Sequence, residues 1–426
     1  MTDRRPFRGW WVVAGLFVVL AIGSGLGFYG TAVYKDALTD ELGFSETAVS
    51  IAVAVQFLAS GAVGLLVARM IGRHDVRRVM MVGALVGGAA LFLVGSATEL
   101  WQIYVLFALF GAGFSAAGLV PATTVVTRWF TRRRSVALSV TSTGLSLGGI
   151  AVTPLAAQLI DTRGLADAMP VLGIVFIVGI VPVTWLLVRP YPEAVGESPD
   201  GDPTPASGRV APSGTPYHEA IRSPFFTRCT TAYVIVMLAQ VGGIAHLFSL
   251  AKDRVDSDTA ALTVSVLAGS SVVARLVGGW IAERVRLRAL TVSFAILQMA
   301  GLVLIAQAEA RTTILLSALV FGSSVGNLLM LQPLLLAEAF GVVDYPRIYA
   351  LGQMFTTIGV AGGPALLGAM FDVTDGWQVP YLLAATSSGI AAGLLATTLA
   401  DRYAPNVAPT SATASAPSNP RPASAT

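Results

Sequence analysis

Arg275 lies inside the long apolar run 260–282, where an isolated cation calls for an anion. A charge at the centre of a membrane-spanning helix costs roughly 2.5–3.5 kcal/mol on insertion scales, so something must offset it. No Asp or Glu lies deep in any apolar run; Glu46 and Glu338 fall near run ends. A guanidinium without a protein partner, in a wet cavity, suits a carboxylate, which it holds through two parallel N–H donors. The competing reading is an arginine bonded to helix carbonyls, or one reaching toward the near interface. A lone cation leaves a second carboxylate poorly neutralised, so a monoanion is favoured over a dianion.

Several polar side chains share that depth. Ser271 precedes Arg275 by one helical turn, and Asn327 ends the small-residue stretch Gly322-Ser-Ser-Val-Gly-Asn327. Each is a candidate to hydrogen-bond a bound solute, or to bridge two helices. Tyr29 is a candidate for the mouth of the site, with an interfacial belt position as the alternative. His246, toward the far end of the run 227–250, titrates near neutral pH and is a candidate proton carrier. Its other reading is an interface histidine bonded to a neighbouring helix. Nothing resembles a metal or cofactor site: His74, His218 and His246 are scattered, and Cys229 is the single cysteine. No phosphate-binding loop appears, so ATP-driven chemistry is unsupported.

The elements that must position these residues are membrane helices. Of 426 residues, 54% are apolar and 12% charged, against about 25% charged in a soluble domain. Apolar runs fall near 10–33, 47–68, 79–97, 101–127, 135–160 and 168–188, then near 227–250, 260–282, 289–308, 312–337, 348–371 and 378–400. Each approaches the roughly 20 residues that span a bilayer, and open sheet edges cannot face lipid. The expected fold is an all-α membrane protein of about twelve transmembrane helices in two pseudo-symmetric six-helix bundles. Residues 1–189 form the first bundle and 224–402 the second. The Pro-rich stretch 190–223 between them reads as a flexible linker, and 403–426 as a disordered tail. The first run lacks a cleavage site and reads as an uncleaved span.

Arginine placement sets the orientation. Clusters at Arg69, Arg73, Arg77 and Arg78, at Arg128 and Arg132 to Arg134, and at Arg284, Arg286 and Arg288 all fall at one membrane face. By the positive-inside rule both termini and the linker are cytoplasmic, in a multi-pass protein of the cell inner membrane. A net charge of +3, carried in short loops, gives no reason to expect nucleic acid as a partner.

The halves echo each other. Gly64-Leu-Leu-Val-Ala-Arg69 follows the second run, and Gly279-Trp-Ile-Ala-Glu283-Arg284 follows the eighth. This glycine, acid and arginine pattern resembles the loop signature of the major facilitator superfamily, with Ala68 where the first copy's acid is expected. The resemblance implies an inner gate at Arg69, Glu283 and Arg284. Within the superfamily the chain is similar to the monocarboxylate transporter and oxalate/formate antiporter branch. The marks are Gly9-Trp-Trp-Val-Val13, Arg128-Trp-Phe-Thr-Arg-Arg-Arg-Ser-Val-Ala-Leu138, and Arg275 followed by Gly279. Two features of that branch are missing: a lysine late in the first span, replaced by Gly27-Phe28-Tyr29, and an aspartate at the position of Ser271.

The expectation is therefore a monomeric secondary transporter, not an enzyme. It moves a small organic anion, most simply a monocarboxylate, by alternating access, with protons as the candidate coupling ion. The alternative is an exporter of apolar or cationic compounds, which would need an acid in its cavity. A nontransporting receptor is the remaining class, and it lacks an ordered soluble domain here.

Overall fold

The computed structural model describes residues 7–202 and 213–397; the expected tail 403–426 lies outside them. Twelve helices are long and apolar enough to cross a membrane. They are α1 Gly9–Leu42, α2 Thr47–Ile71, α3 Val76–Val94, α4 Leu100–Trp129, α5 Arg134–Arg163 and α6 Leu165–Leu187. The second set is α7 Pro224–Arg254, α8 Ser257–Ala282, α9 Leu287–Gln307, α10 Arg311–Phe340, α11 Tyr345–Thr374 and α12 Gln378–Ala396. All match the apolar runs, and several extend beyond them into polar ends. Those ends are set by caps: Ser45, Asp75, Ser223 and Asp256 accept hydrogen bonds from first-turn N–H groups, and Gly43 closes α1 in the left-handed region.

Helix pairing shows the duplication directly. In the first bundle α1 packs on α5 and α6, α2 on α4, and α3 on α4 and α6. Adding six to each number gives the second bundle: α7 on α11 and α12, α8 on α10, and α9 on α10 and α12. The seams between bundles obey the same rule, α5 against α8 and α2 against α11. The part of α5 in the first seam is Arg134–Leu147, at the arginine-rich end. The opposite halves of α1 and α5, Gly30–Leu42 and Thr153–Arg163, pack on helices of their own bundle. The bundles thus join at the basic end, and the cleft between them faces the other way.

Three helices break regularity where the bundle centre needs it. In α1, Gly25–Tyr29 is a π turn; in α5, Gly148–Val152 is another, and the two lie against each other. A Cβ at Gly25 would stand 2.7 Å from the Gly148 carbonyl oxygen, so backbone meets backbone. Widened turns free carbonyls, and side chains answer them. Thr153 Oγ1 donates to Gly25 O at 2.9 Å, and Gln56 Nε2 to Gly27 O at 2.6 Å. The third irregularity is α4, which bends at Ala117–Gly118. Pro121 has no N–H, and its ring would collide with the Ala117 carbonyl in a continuous helix.

The linker is more ordered than its composition implies, because its acids have work at the basic end. Asp200, in the left-handed region at φ 59°, accepts from the backbone N–H groups of Thr131, Arg132 and Arg133. Asp202 pairs with Arg132, and Glu197 accepts from the Arg8 N–H. After residue 212, Thr215 N donates to Phe340 O and Val342 N to Ser213 O, tying the chain to the α10–α11 loop.

Asp75, just before α3, gives one pH-dependent contribution. Partial burial alone would raise its carboxyl, but hydrogen bonds from the Arg77 side chain and backbone, with the Arg77 and Arg78 charges, hold it below the ordinary carboxylate value. A depressed folded-state value stabilises the fold above the unfolded value of about 3.9, and that contribution is lost as pH falls through the folded one. Asp75→Asn is expected to cost roughly 1 kcal/mol at pH 7. The melting temperatures of variant and wild type should stay apart down to about pH 4 and converge only as pH falls further, through the depressed folded-state value; a gap constant across pH would assign the loss to shape rather than charge.

Candidate functional site

Arg275 sits two-thirds of the way along α8, on the face turned to α5 and α10. It is 2% exposed, and it is the sole buried charged residue among those described. Its Nε donates to the Gly326 carbonyl of α10 at 3.1 Å, and its Nη1 to the Ser142 carbonyl of α5. Ser139 Oγ of α5 donates back to the Arg275 carbonyl at 2.6 Å. The residue therefore bridges three helices and crosses the seam between bundles. A guanidinium has five N–H donors; two are used here, and no carboxylate among the described residues meets the others. Tyr29 of α1 is the ionisable side chain in electrostatic reach, and it is 41% exposed. Both sequence readings of Arg275 thus hold a share of the geometry. It is bonded to helix carbonyls, and it keeps unneutralised donors.

The other expected residues divide. Asn327, one position after Gly326, donates through Nδ2 to the carbonyls of Ala274 and Ser323, fastening α10 to α8 at the residue next to Arg275. Its Oδ1 is buried without a partner. Ser271 is buried at the same junction: a Cβ at Gly326 would stand 2.9 Å from Ser271 Oγ and 2.8 Å from Arg275 Nε. Ser271, Arg275, Asn327 and Tyr29 are thus brought to one region. His246 stands apart, in the second half of α7. Its Nε2 donates to the Pro364 carbonyl at 2.9 Å, and its ring lies tilted on Trp377 with centroids 5.1 Å apart. Trp377 in turn donates to Asp253.

Arg69, Glu283 and Arg284 are exposed and are not brought together. Arg284 folds back over its own helix, 3.7 Å from the Trp280 ring centroid, with Nη1 on the Trp280 carbonyl. At the basic end the seam is filled instead by small residues and by Arg134. A Cβ at Gly279 would stand 2.4 Å from Ser139 Cβ. Arg134 donates to the Phe130 and Thr127 carbonyls and lies within electrostatic reach of Tyr345 and Glu338 across the seam. Ser139, Ser142 and Gln56 act here without having been singled out in the sequence. Ser142 contributes a backbone carbonyl, which has no residue signature. Gln56, a lone amide in the apolar run 47–68, did carry one.

Comparison with known proteins agrees with this architecture. The family model described as Major Facilitator Superfamily matches residues 15–342. Monocarboxylate transporter 11 of Homo sapiens is 29% identical over 405 residues, covering 89% of this chain and 81% of that protein. The MFS transporter asaE of Aspergillus flavus is 24% identical over 338 residues, covering 78% and 73%. In fold, the chain is similar to the MFS transporter FucP, with a TM-score of 0.71 at 13% identity and coverage of 91% and 98%. It is also similar to the human organic anion transporter MFSD10, with a TM-score of 0.68 at 14% identity and coverage of 92% and 100%. Twelve spans, a six-helix repeat visible in the main packed pairs, and a family match across most of both bundles lead to one assignment: the chain is a multi-pass membrane protein that belongs to the Major Facilitator Superfamily.

Proposed function

We propose that this transporter moves a small organic anion, a monocarboxylate, by alternating access, and that Arg275 recognises the carboxylate. One observation carries the reading: a buried guanidinium with spare donors and no acidic partner among the described residues, at the seam between the bundles. Such a group is half-satisfied in a medium of low dielectric, and an anion completes it. Tyr29 offers a hydroxyl from the facing bundle, while Asn327 fastens the arginine's helix to α10 and Ser271 packs beside Gly326. Relatives named as monocarboxylate transporters support the substrate class. An exporter of cations would need a buried carboxylate, and the buried residues among those described include none. The test is uptake of labelled monocarboxylates into proteoliposomes by wild type and Arg275→Ala; undiminished uptake by the variant removes the assignment.

The arginine clusters at one end support, by the positive-inside rule, a monomeric transporter of the cell inner membrane with that end and both termini cytoplasmic. Inward movement of an anion against an inside-negative potential costs about 2.3 kcal/mol per 100 mV. A co-transported proton cancels that cost, with His246 as the candidate carrier at the open end of the cleft. His246→Gln keeps a donor for the Pro364 carbonyl but cannot titrate. It is expected to weaken the dependence of uptake on an imposed proton gradient. A gradient dependence that superimposes on wild type takes the histidine out of the coupling step.

A further inference from the structure

We infer that the cargo carries an aromatic ring on its carboxylate, seated against a wall of rings from the first bundle; the inference rests on the anion reading of Arg275. The wall begins beside the arginine. Tyr29 meets Phe28 edge-to-face with centroids 5.0 Å apart, and Phe28 meets Phe57 of α2 in the same manner at 5.8 Å. Phe114 of α4 approaches from the other side. Its ring lies 2.6 Å from where a Gly27 Cβ would stand, in contact with the π turn that carries Phe28 and Tyr29. Three helices thus deliver four rings around one turn of α1.

None of the four is core. Phe107, Phe110 and Phe176 of the same bundle are fully buried, whereas Phe28, Phe57 and Phe114 are half-buried and Tyr29 is exposed. Ring surface left open around the turn that carries Tyr29, the side chain in electrostatic reach of Arg275, is surface that a solute can cover. Edge-to-face and offset-stacked contacts to an aryl group add selectivity beyond simple area burial. The polarity is divided between the bundles. The second supplies the cation, and the first supplies an apolar, ring-lined face with no charged group. A two- or three-carbon acid held at Arg275 has no atoms to place on that face; an aryl carboxylate has.

The experiment compares uptake by wild-type proteoliposomes of externally added labelled short acids (acetate, pyruvate) and aryl acids (benzoate, phenylacetate, phenylpyruvate). Aryl acids are expected to show half-saturation about tenfold lower, the scale of one or two added ring contacts. Phe114→Ala and Phe57→Leu are each expected to reduce the ratio of aryl to short-acid uptake severalfold. Phe57→Leu keeps an apolar side chain, so its ratio remains readable if the alanine variant folds poorly. Short acids taken up as well as aryl acids, or a ratio unmoved by both variants, overturns the aryl inference and leaves the anion reading standing. No uptake of either class, with saturable flux of a neutral or cationic solute, overturns both.

Discussion

Arg275→Gln is expected to lower carboxylate uptake by roughly 100-fold or more while leaving the melting temperature equal to or above that of wild type. The two halves of that result have separate causes. A carboxylate on the guanidinium is held by charge-assisted hydrogen bonds, each worth roughly 1.5–3 kcal/mol, and every 1.4 kcal/mol is a factor of ten. Glutamine can still donate to the Gly326 or Ser142 carbonyl through its amide, but it offers no charge. Stability moves the other way because the solute-free protein holds a buried cation with no counter-ion, and removing an uncompensated charge relieves a desolvation cost. Arg275→Lys is not a rescue, since one compact ammonium cannot reach two carbonyls on different helices and still grip an anion. If the arginine were only a staple between α5, α8 and α10, the pattern would invert. The variant would melt earlier and keep its flux, and that outcome ends the anion assignment.

Arg275 was legible because a charge in a long apolar run stands out whatever the fold. The helices were legible for the same reason in reverse: lipid outside and core inside both select apolar residues, so runs of the right length mark spans. That uniformity also hides which face of a span looks where. Phe28, Phe57 and Phe114 share their apolar character with residues that face lipid, and only the packing around the π turn of α1 brings their rings together. The acceptors of Arg275, the Ser142 and Gly326 carbonyls, belong to the backbone and leave no trace in residue type. The charged loop residues Arg69, Glu283 and Arg284 drew attention as a gate because charge is easy to see. At the seam itself Gly279 lies against Ser139, and the arginines there, Arg134 and Arg275, bond to backbone carbonyls that leave no trace in residue type. Prolines mark 190–223 as a linker, but they do not show that Glu197, Asp200 and Asp202 hold its first described part to loop and terminal groups at the basic end.

That glycine seam yields the second large effect. Two glycines with similar crowding should behave differently, because one lies inside a bundle and the other between bundles. At Gly359 of α11 a Cβ would stand 2.1 Å from the Val234 carbonyl of α7, within the second bundle. Those helices have no packed alternative, so Gly359→Val is expected to lower the melting temperature, at a cost of roughly 1–3 kcal/mol. At Gly279 a Cβ would stand 2.4 Å from Ser139 Cβ and 3.2 Å from the Ser135 carbonyl, both in the opposing bundle. Here the same strain can be relieved by letting the basic end part, which is a motion that alternating access already requires. Gly279→Val is therefore expected to leave the melting temperature near that of wild type and to abolish net flux. About 2 kcal/mol against the closed seam shifts the ratio of the two access states by roughly 30-fold. The readout is thiol labelling in a Cys229→Ser background with a cysteine at Thr123, which is buried in the part of α4 that meets α11. Labelling from the basic side should accelerate about as much as the ratio shifts. If Gly279→Val melts early and its labelling rate does not change, α8 and α5 belong to one rigid unit, and the bundles must separate along another seam.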